Sequence, residues 1–237
     1  MAQQAAEQKA NNGGTIATSI YTRIRRDILD GQLKPGEKLR MHVLRDRYEV
    51  SGSPIREALN RLSSDCLVVR EDLKGFRVRA VNKAELLELI KTRCWVEEIA
   101  LRESIQHGDR EWEERIVLAF HHLKQIPRTP DNDAYKDSEV WEQTHREFHL
   151  ALISACGSSW LYDFCAQLFD QWERYRRFAA AVVYPESNNR CELEEHQAIF
   201  DAIVSRDSET ATKILLAHYR ITGEIALDFY NKFEAME

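Results

Sequence analysis

Residues Gly31 to Val78 read GQLKPGEKLRMHVLRDRYEVSGSPIREALNRLSSDCLVVREDLKGFRV. Leu39, Val43, Leu44 and Tyr48 mark one amphipathic helix, Ser51 and Gly52 supply a short turn, and Pro54 opens a second helix at a position where its missing N–H is no loss. In that second helix Ile55, Ala58, Leu59 and Leu62 share one face while Arg56, Asn60 and Arg61 lie on others, so one side can pack while another meets a groove. Leu67-Val68-Val69 and Phe76-Arg77-Val78 are short β-like runs around Lys74-Gly75, the pattern of a two-stranded wing with a basic tip. Helix, tight turn, helix and wing together make a DNA-reading unit. Arg56, in the first turn of the second helix, is placed to reach base edges, and Ser53, Asn60, Arg61 and Gly75 complete the DNA-facing set. Arg23, Arg25, Arg26, Arg40, Arg45 and Lys74 are the expected phosphate contacts.

Charge supports this reading. Residues 15–81 hold 14 Lys+Arg against 9 Asp+Glu, net +5, whereas residues 82–237 hold 18 against 29, net −11. The total of −6 therefore hides a basic head. Such a head gains affinity by releasing counterions from phosphates, and the acidic remainder is repelled from the duplex.

The 237 residues leave room for two domains: a winged helix-turn-helix over 15–81 and a helical domain over 82–237, after a disordered lead-in over 1–14. No apolar run approaches the ~20 residues of a membrane span, and MAQQAAEQKANNGG lacks the apolar core of a signal peptide. Cys66, Cys94, Cys156, Cys165 and Cys191 show no CxxC spacing, which argues against a disulfide framework or zinc ribbon and for free thiols in a reducing cytoplasm. From Asn82 the periodicity is helical throughout. Helices are expected near 82–107, 109–126, 138–155, 159–181, 190–205 and 208–230, starting at Asn82, Asp109, Ser138, Ser159 and Asp207. Breaks are expected at Gly108, Pro127 to Asp133, Gly157 and Tyr184-Pro185. The fold class is thus mainly α, with a winged helix-turn-helix followed by an all-α bundle, joined by a short linker at 80–84.

Histidines carry the chemistry of the second domain. His145 and His149, four apart in HREFH, share one helix face, and His196 and His218 lie on two later helices, so three helices can bring four imidazoles to one point. HREFH is not a metalloprotease motif, because Arg146 stands where glutamate would be needed.

The sequence PGEKL, SGSPIREALNRL and KGFRV resembles the winged helix-turn-helix of the GntR family of bacterial repressors and activators. Arg56 matches the arginine of the family's "REAL" helix and Gly75 its wing-tip glycine. Gly52 and His42 depart, standing where arginines are common, so the resemblance implies DNA binding without fixing the operator. The later FHLAL, EHQAI and AHY segments are similar to the FCD branch of that family, and the likeness runs from residue 16 onward. It implies a divalent metal held by His149, His196 and His218, with His145 where an aspartate is usual, and a small carboxylate bound at the metal. Three or four neutral nitrogens favour zinc, or nickel, over magnesium or calcium. Arg93, which matches an arginine of the branch, would pair with the effector carboxylate or else with Glu97 or Glu98, and Arg176 offers a second anion contact or an interface residue. HREFHLALISACGSSWL with FDQWERYRRF is also similar to the carbon-starvation-induced regulator group, whose members control use of four-aminobutyrate, glutarate and related dicarboxylates, which implies an effector of that kind.

The expectation is a cytoplasmic homodimer that reads a pseudo-palindromic operator and is released by a carboxylate. The alternatives are a metal-sensing regulator and a metal-dependent hydrolase.

Overall fold

In the computed structural model, which describes residues 2–126, 138–183 and 192–234, the head begins with a helix. α1 (Ala2–Leu29) is followed by β1 (Lys38–Leu39), α2 (Met41–Tyr48), α3 (Gly52–Ser64), β2 (Val68–Glu71) and β3 (Gly75–Val78). Six further helices follow: α4 (Lys83–His107), α5 (Arg110–Gln125), α6 (Ser138–Leu152), α7 (Ser159–Val183), α8 (Glu192–Val204) and α9 (Ser208–Glu234). The chain divides into two compact units, residues 1–82 with 173–181, and residues 83–172 with 182–237.

In the first unit, Ile20, Ile24 and Ile28 of α1 repeat every four residues and bury a stripe with Ile55, Ala58, Leu59 and Leu62 of α3. The strands form an antiparallel sheet in the order β1-β3-β2, with Leu39 opposite Phe76, Val68 opposite Val78, and Glu71 opposite Gly75. Gly75, at φ 94, takes a backbone conformation that other residues adopt only with strain, and this closes the wing. Within this unit Glu173, on α7, accepts from Arg25 Nη2 at 2.9 Å and from Arg177 Nη1 at 3.2 Å, and Arg177 also pairs with Asp30.

Several expectations change here. Leu39 belongs to β1 rather than to the first helix, which begins at Met41, and Val43 on that helix is exposed. Two residues of strand are too short to leave an alternation in sequence. α3 starts at Gly52, so Pro54 is its third residue, still within the turn whose N–H groups have no helical partner. The structure also carries α1 back to Ala2, where a lead-in without structure was expected; Ala5, Ala6, Glu7, Gln8, Lys9 and Ala10 are strong helix formers.

The second unit is all-helical among the described residues. Trp112, Ile116, Phe120, Phe148, Ile199, Ile203 and Leu215 fill its core, drawn from α5, α6, α8 and α9. Asp109 caps α5 by accepting from Trp112 N at 2.8 Å, and Asp207 caps α9 by accepting from Thr210 N at 3.0 Å. α7 starts at Ser159 as expected, and Ser158 just before it caps the helix, its Oγ accepting from Leu161 N at 3.2 Å. Arg206, at φ 58, closes the end of α4: its Nη1 donates to Ile105 O at 3.1 Å and to Gly108 O at 2.8 Å. The breaks expected at Pro127 to Asp133 and Tyr184-Pro185 lie outside the described residues, as does Cys191. No helix among the described residues is long and apolar enough to cross a membrane.

Gly108 is sterically forced. A Cβ there would lie 2.1 Å from the ring of buried Trp112 and 2.5 Å from Ser104 O, whereas a Cβ at Gly52 would meet nothing closer than 3.6 Å. Gly108→Ala is expected to destabilise the protein by about 2 kcal/mol, lowering Tm by roughly 4–8 °C. Gly52→Ala should leave Tm level or raised; thermal unfolding of both variants checks the contrast.

Candidate functional site

The four histidines converge. His145 and His149 come from one face of α6, His196 from α8 and His218 from α9, and all four are buried. One ligand nitrogen from each lies within 4.8 Å of the others. His149 Nε2 is 3.1 Å from His145 Nε2 and 3.2 Å from His196 Nε2. His145 stacks on Trp141 with ring centroids 4.6 Å apart.

Hydrogen bonds behind the rings fix which nitrogen faces inward. His218 Nδ1 is 2.6 Å from Glu195 Oε2; a carboxylate accepts, so Nδ1 carries the proton and the Nε2 lone pair remains for a ligand. Tyr219 donates its hydroxyl proton to Glu97 Oε2 at 2.5 Å, and its oxygen lies 3.2 Å from His149 Nδ1. Burial and the neighbouring Glu97 hold the Tyr219 phenol well above its ordinary range, so it keeps its proton. Burial, and then the other three imidazoles, hold His149 well below the ordinary histidine range and therefore neutral.

A neutral His149 Nε2 has one lone pair, yet two other Nε2 atoms stand within hydrogen-bond distance of it. A single lone pair does not accept two hydrogens in good geometry; a cation at the common point satisfies every nitrogen at once. Neighbouring nitrogens around tetrahedral zinc are separated by about 3.3 Å at Zn–N distances of about 2.0–2.1 Å. The residues therefore fit a transition metal.

Arg93, on α4, lies beside this cluster. Its Nε donates to Glu97 Oε1 at 2.6 Å, and its guanidinium sits 4.1 Å from the Tyr219 ring centre and 5.2 Å from that of Phe169. Burial opposes its charge, but the neighbouring Glu97 outweighs that and raises its pKa. The side chain is 2% exposed, and Nη2 has no hydrogen-bond partner among the described residues. Arg176, the other arginine singled out for an effector, is buried on the stretch of α7 that belongs to the first unit. Sequence reading missed Tyr219 and Glu195, although each stands next to a ligand histidine, in HY and EH.

In the head, Ser53, Arg56 and Asn60 are exposed on α3 opposite its buried face. Arg40, Arg45, Lys74 and Gly75 are exposed on α2, its approach and the wing. Arg61 is not on that face. It donates to Thr18 Oγ1 at 3.1 Å and covers the Tyr21 ring at 4.3 Å, because five residues after Arg56 the helix has turned toward α1. Arg23 lies 5.0 Å over the Tyr48 ring, and Arg25 is committed to Glu173.

Residues 16–78 match the model for bacterial regulatory proteins of the gntR family, and residues 88–220 match the FCD domain. The chain belongs to the gntR family. This gntR-family protein is 37% identical to the uncharacterised HTH-type transcriptional regulator BphR of Paraburkholderia xenovorans, over 92% of this chain and 88% of that one. It is 31% identical to the HTH-type transcriptional repressor GlaR of Escherichia coli, over 84% and 90%. Its fold is that of a putative transcriptional regulator GntR from Rhodococcus, with a TM-score of 0.67 at 22% identity over 90% and 97%. This gntR-family chain is a DNA-binding transcription regulator, and the hydrolase alternative is set aside.

The thiols of this regulator differ sharply in access. Cys165 is fully buried, and burial, with Glu97 and Cys156 nearby, pushes its pKa up to about 12; Cys94 is also raised by burial, while Cys66 is exposed. At pH 8 iodoacetamide should label Cys66 and leave Cys94, Cys156 and Cys165 unmodified until the protein is unfolded, as read by peptide mass mapping.

Proposed function

We propose that this regulator is a homodimeric repressor whose second domain holds a divalent metal through His145, His149, His196 and His218 and binds a small carboxylate, with glutarate the leading candidate. The observation that carries the metal reading is the convergence of imidazole nitrogens at 3.1–3.2 Å with proton positions set by Tyr219 and Glu195. An all-nitrogen set favours zinc or nickel over magnesium or calcium. The bound ion would supply a cationic anchor for a carboxylate oxygen.

Arg93 supports the anion. Its unpartnered Nη2 is a buried cationic donor, and the Tyr219 and Phe169 rings around it hold the guanidinium in place. With His145 where the branch usually has an aspartate, the ligand set carries one negative charge fewer, which strengthens its attraction for an acid. A dicarboxylate would use one end at the ion and the other at Arg93.

In the head, Arg56 with Ser53 and Asn60 reads base edges, while Arg40, Arg45, Lys74 and Gly75 hold the backbone. Arg61 is left out of the reading set, since it binds α1. Two heads in a homodimer meet two half-sites of a pseudo-palindrome. The carboxylate releases DNA by binding better to the form of the dimer that fits the operator poorly.

Arg56→Ala should weaken operator binding by about 1–3 kcal/mol per half-site contact while leaving carboxylate-induced stabilisation unchanged, as compared by gel shift and thermal shift; unchanged operator affinity would sink the base-reading role. A panel of mono- and dicarboxylates, screened by thermal shift with metal present and after chelation, tests the second domain. A dicarboxylate is expected to raise Tm only in the metal-loaded protein, and His149→Ala should abolish that rise. Stabilisation by metal alone, with no acid active, would favour a metal sensor.

A further inference from the structure

Arg93, Glu97, Tyr219 and His149 form one continuous buried chain of contacts. Arg93 Nε donates to one oxygen of Glu97 at 2.6 Å and the Tyr219 hydroxyl donates to the other at 2.5 Å. With its proton committed to Glu97, the Tyr219 oxygen is left to accept from His149 Nδ1 at 3.2 Å. The proton of His149 is thereby fixed on Nδ1, and the lone pair of Nε2 faces His145 and His196. Glu97 is two hydrogen bonds away from the His149 ring, while the other end of the same chain is the buried cation with an unpartnered nitrogen.

We propose that Tyr219 and Glu97 are positioning residues for the metal and that they also transmit the state of Arg93 to it, so that anion and metal binding reinforce one another. This rests on reading the four histidines as a metal site. The carboxylate of Glu97 is shared between two donors. An anion that draws on the Arg93 guanidinium weakens its hold on Glu97, and Glu97 then accepts more strongly from Tyr219. Hydrogen bonds in series polarise one another, so the Tyr219 oxygen becomes a stronger acceptor for His149 and His149 a stronger electron donor through Nε2. Reciprocity follows: a metal that draws on His149 strengthens the same chain in the opposite sense and leaves Arg93 freer for an anion. Neither Tyr219 nor Glu97 touches the ion in this scheme.

Zinc affinity, measured by competition with a chromophoric chelator in the absence of any added carboxylate, tests both parts. Tyr219→Phe keeps the ring and removes the hydroxyl, and it should weaken zinc binding about 10- to 100-fold. A lower Tm with zinc affinity within threefold of wild type would mean that the hydroxyl is merely structural, and would overturn the positioning role. Arg93→Lys keeps a charge but loses the planar fork that grips Glu97. It should alter zinc affinity several-fold in the wild-type background and not in the Tyr219→Phe background. An equal change in both backgrounds would show that Arg93 acts through space, and the chain would be rejected. Should Arg93→Lys fail to fold, Glu97→Gln in the same two backgrounds reads the same link. Failure of the wild-type protein to bind zinc or nickel overturns the metal reading itself, an outcome distinct from tight wild-type binding that Tyr219→Phe leaves unaltered.

Discussion

The second unit depends on one buried carboxylate. Glu97 carries a charge that water would otherwise solvate, and it is kept buried because Arg93 on α4 and Tyr219 on α9 occupy both its oxygens. Loss of one partner from such a pair leaves an uncompensated buried charge, at about 3–5 kcal/mol, so the arrangement locks α4 against α9. One turn beyond Tyr219, Gly223 removes the side chain that would otherwise strike Ile90; a Cβ there would sit 2.5 Å from Ile90 Cδ1. A polar contact between α4 and α9 thus supports the convergence of the four histidines, although α4 contributes none of them.

The reading head obeys the same economy with different parts. α3 must present Arg56 and Asn60 outward, and it can do so because Ile55, Ala58, Leu59 and Leu62 are held by α1. Arg61 serves this packing: its guanidinium lies on Tyr21, whose hydroxyl donates to Asp65 just past the end of α3 at 2.7 Å. Tyr48 ties α2 to α1 in a similar way by donating to Asp27 at 2.7 Å. Basic residues in a DNA-binding head therefore divide between holding the fold and facing the duplex, and charge alone does not distinguish them.

How much of this was legible follows from the range of each interaction. The periods of α4 to α9, the wing around Lys74-Gly75 and the pairing of His145 with His149 are local, and spacing displays them. His196 and His218 entered the candidate cluster because three helices can bring four imidazoles together, and the resemblance to a known branch strengthened that reading. Glu97 and Tyr219 are 122 positions apart, and no pattern in one sequence joins a glutamate to a tyrosine at that distance. The contacts of Arg61 with Thr18 and Tyr21 were not legible, because residue type on a helix face does not tell a neighbouring helix from solvent. β1 escaped notice because two residues carry no period.

The three-stranded sheet has a further consequence. Its order, β1-β3-β2, places the best-paired strand in the middle and leaves as borders a strand of two residues followed by Arg40 and a strand of four residues ending in Arg70 and Glu71. An open border recruits foreign strands when it is long, flat and apolar, and neither border here is. The small sheet can be held out from the head without inviting the edge-to-edge pairing that begins aggregation, even when many copies are crowded along the same DNA.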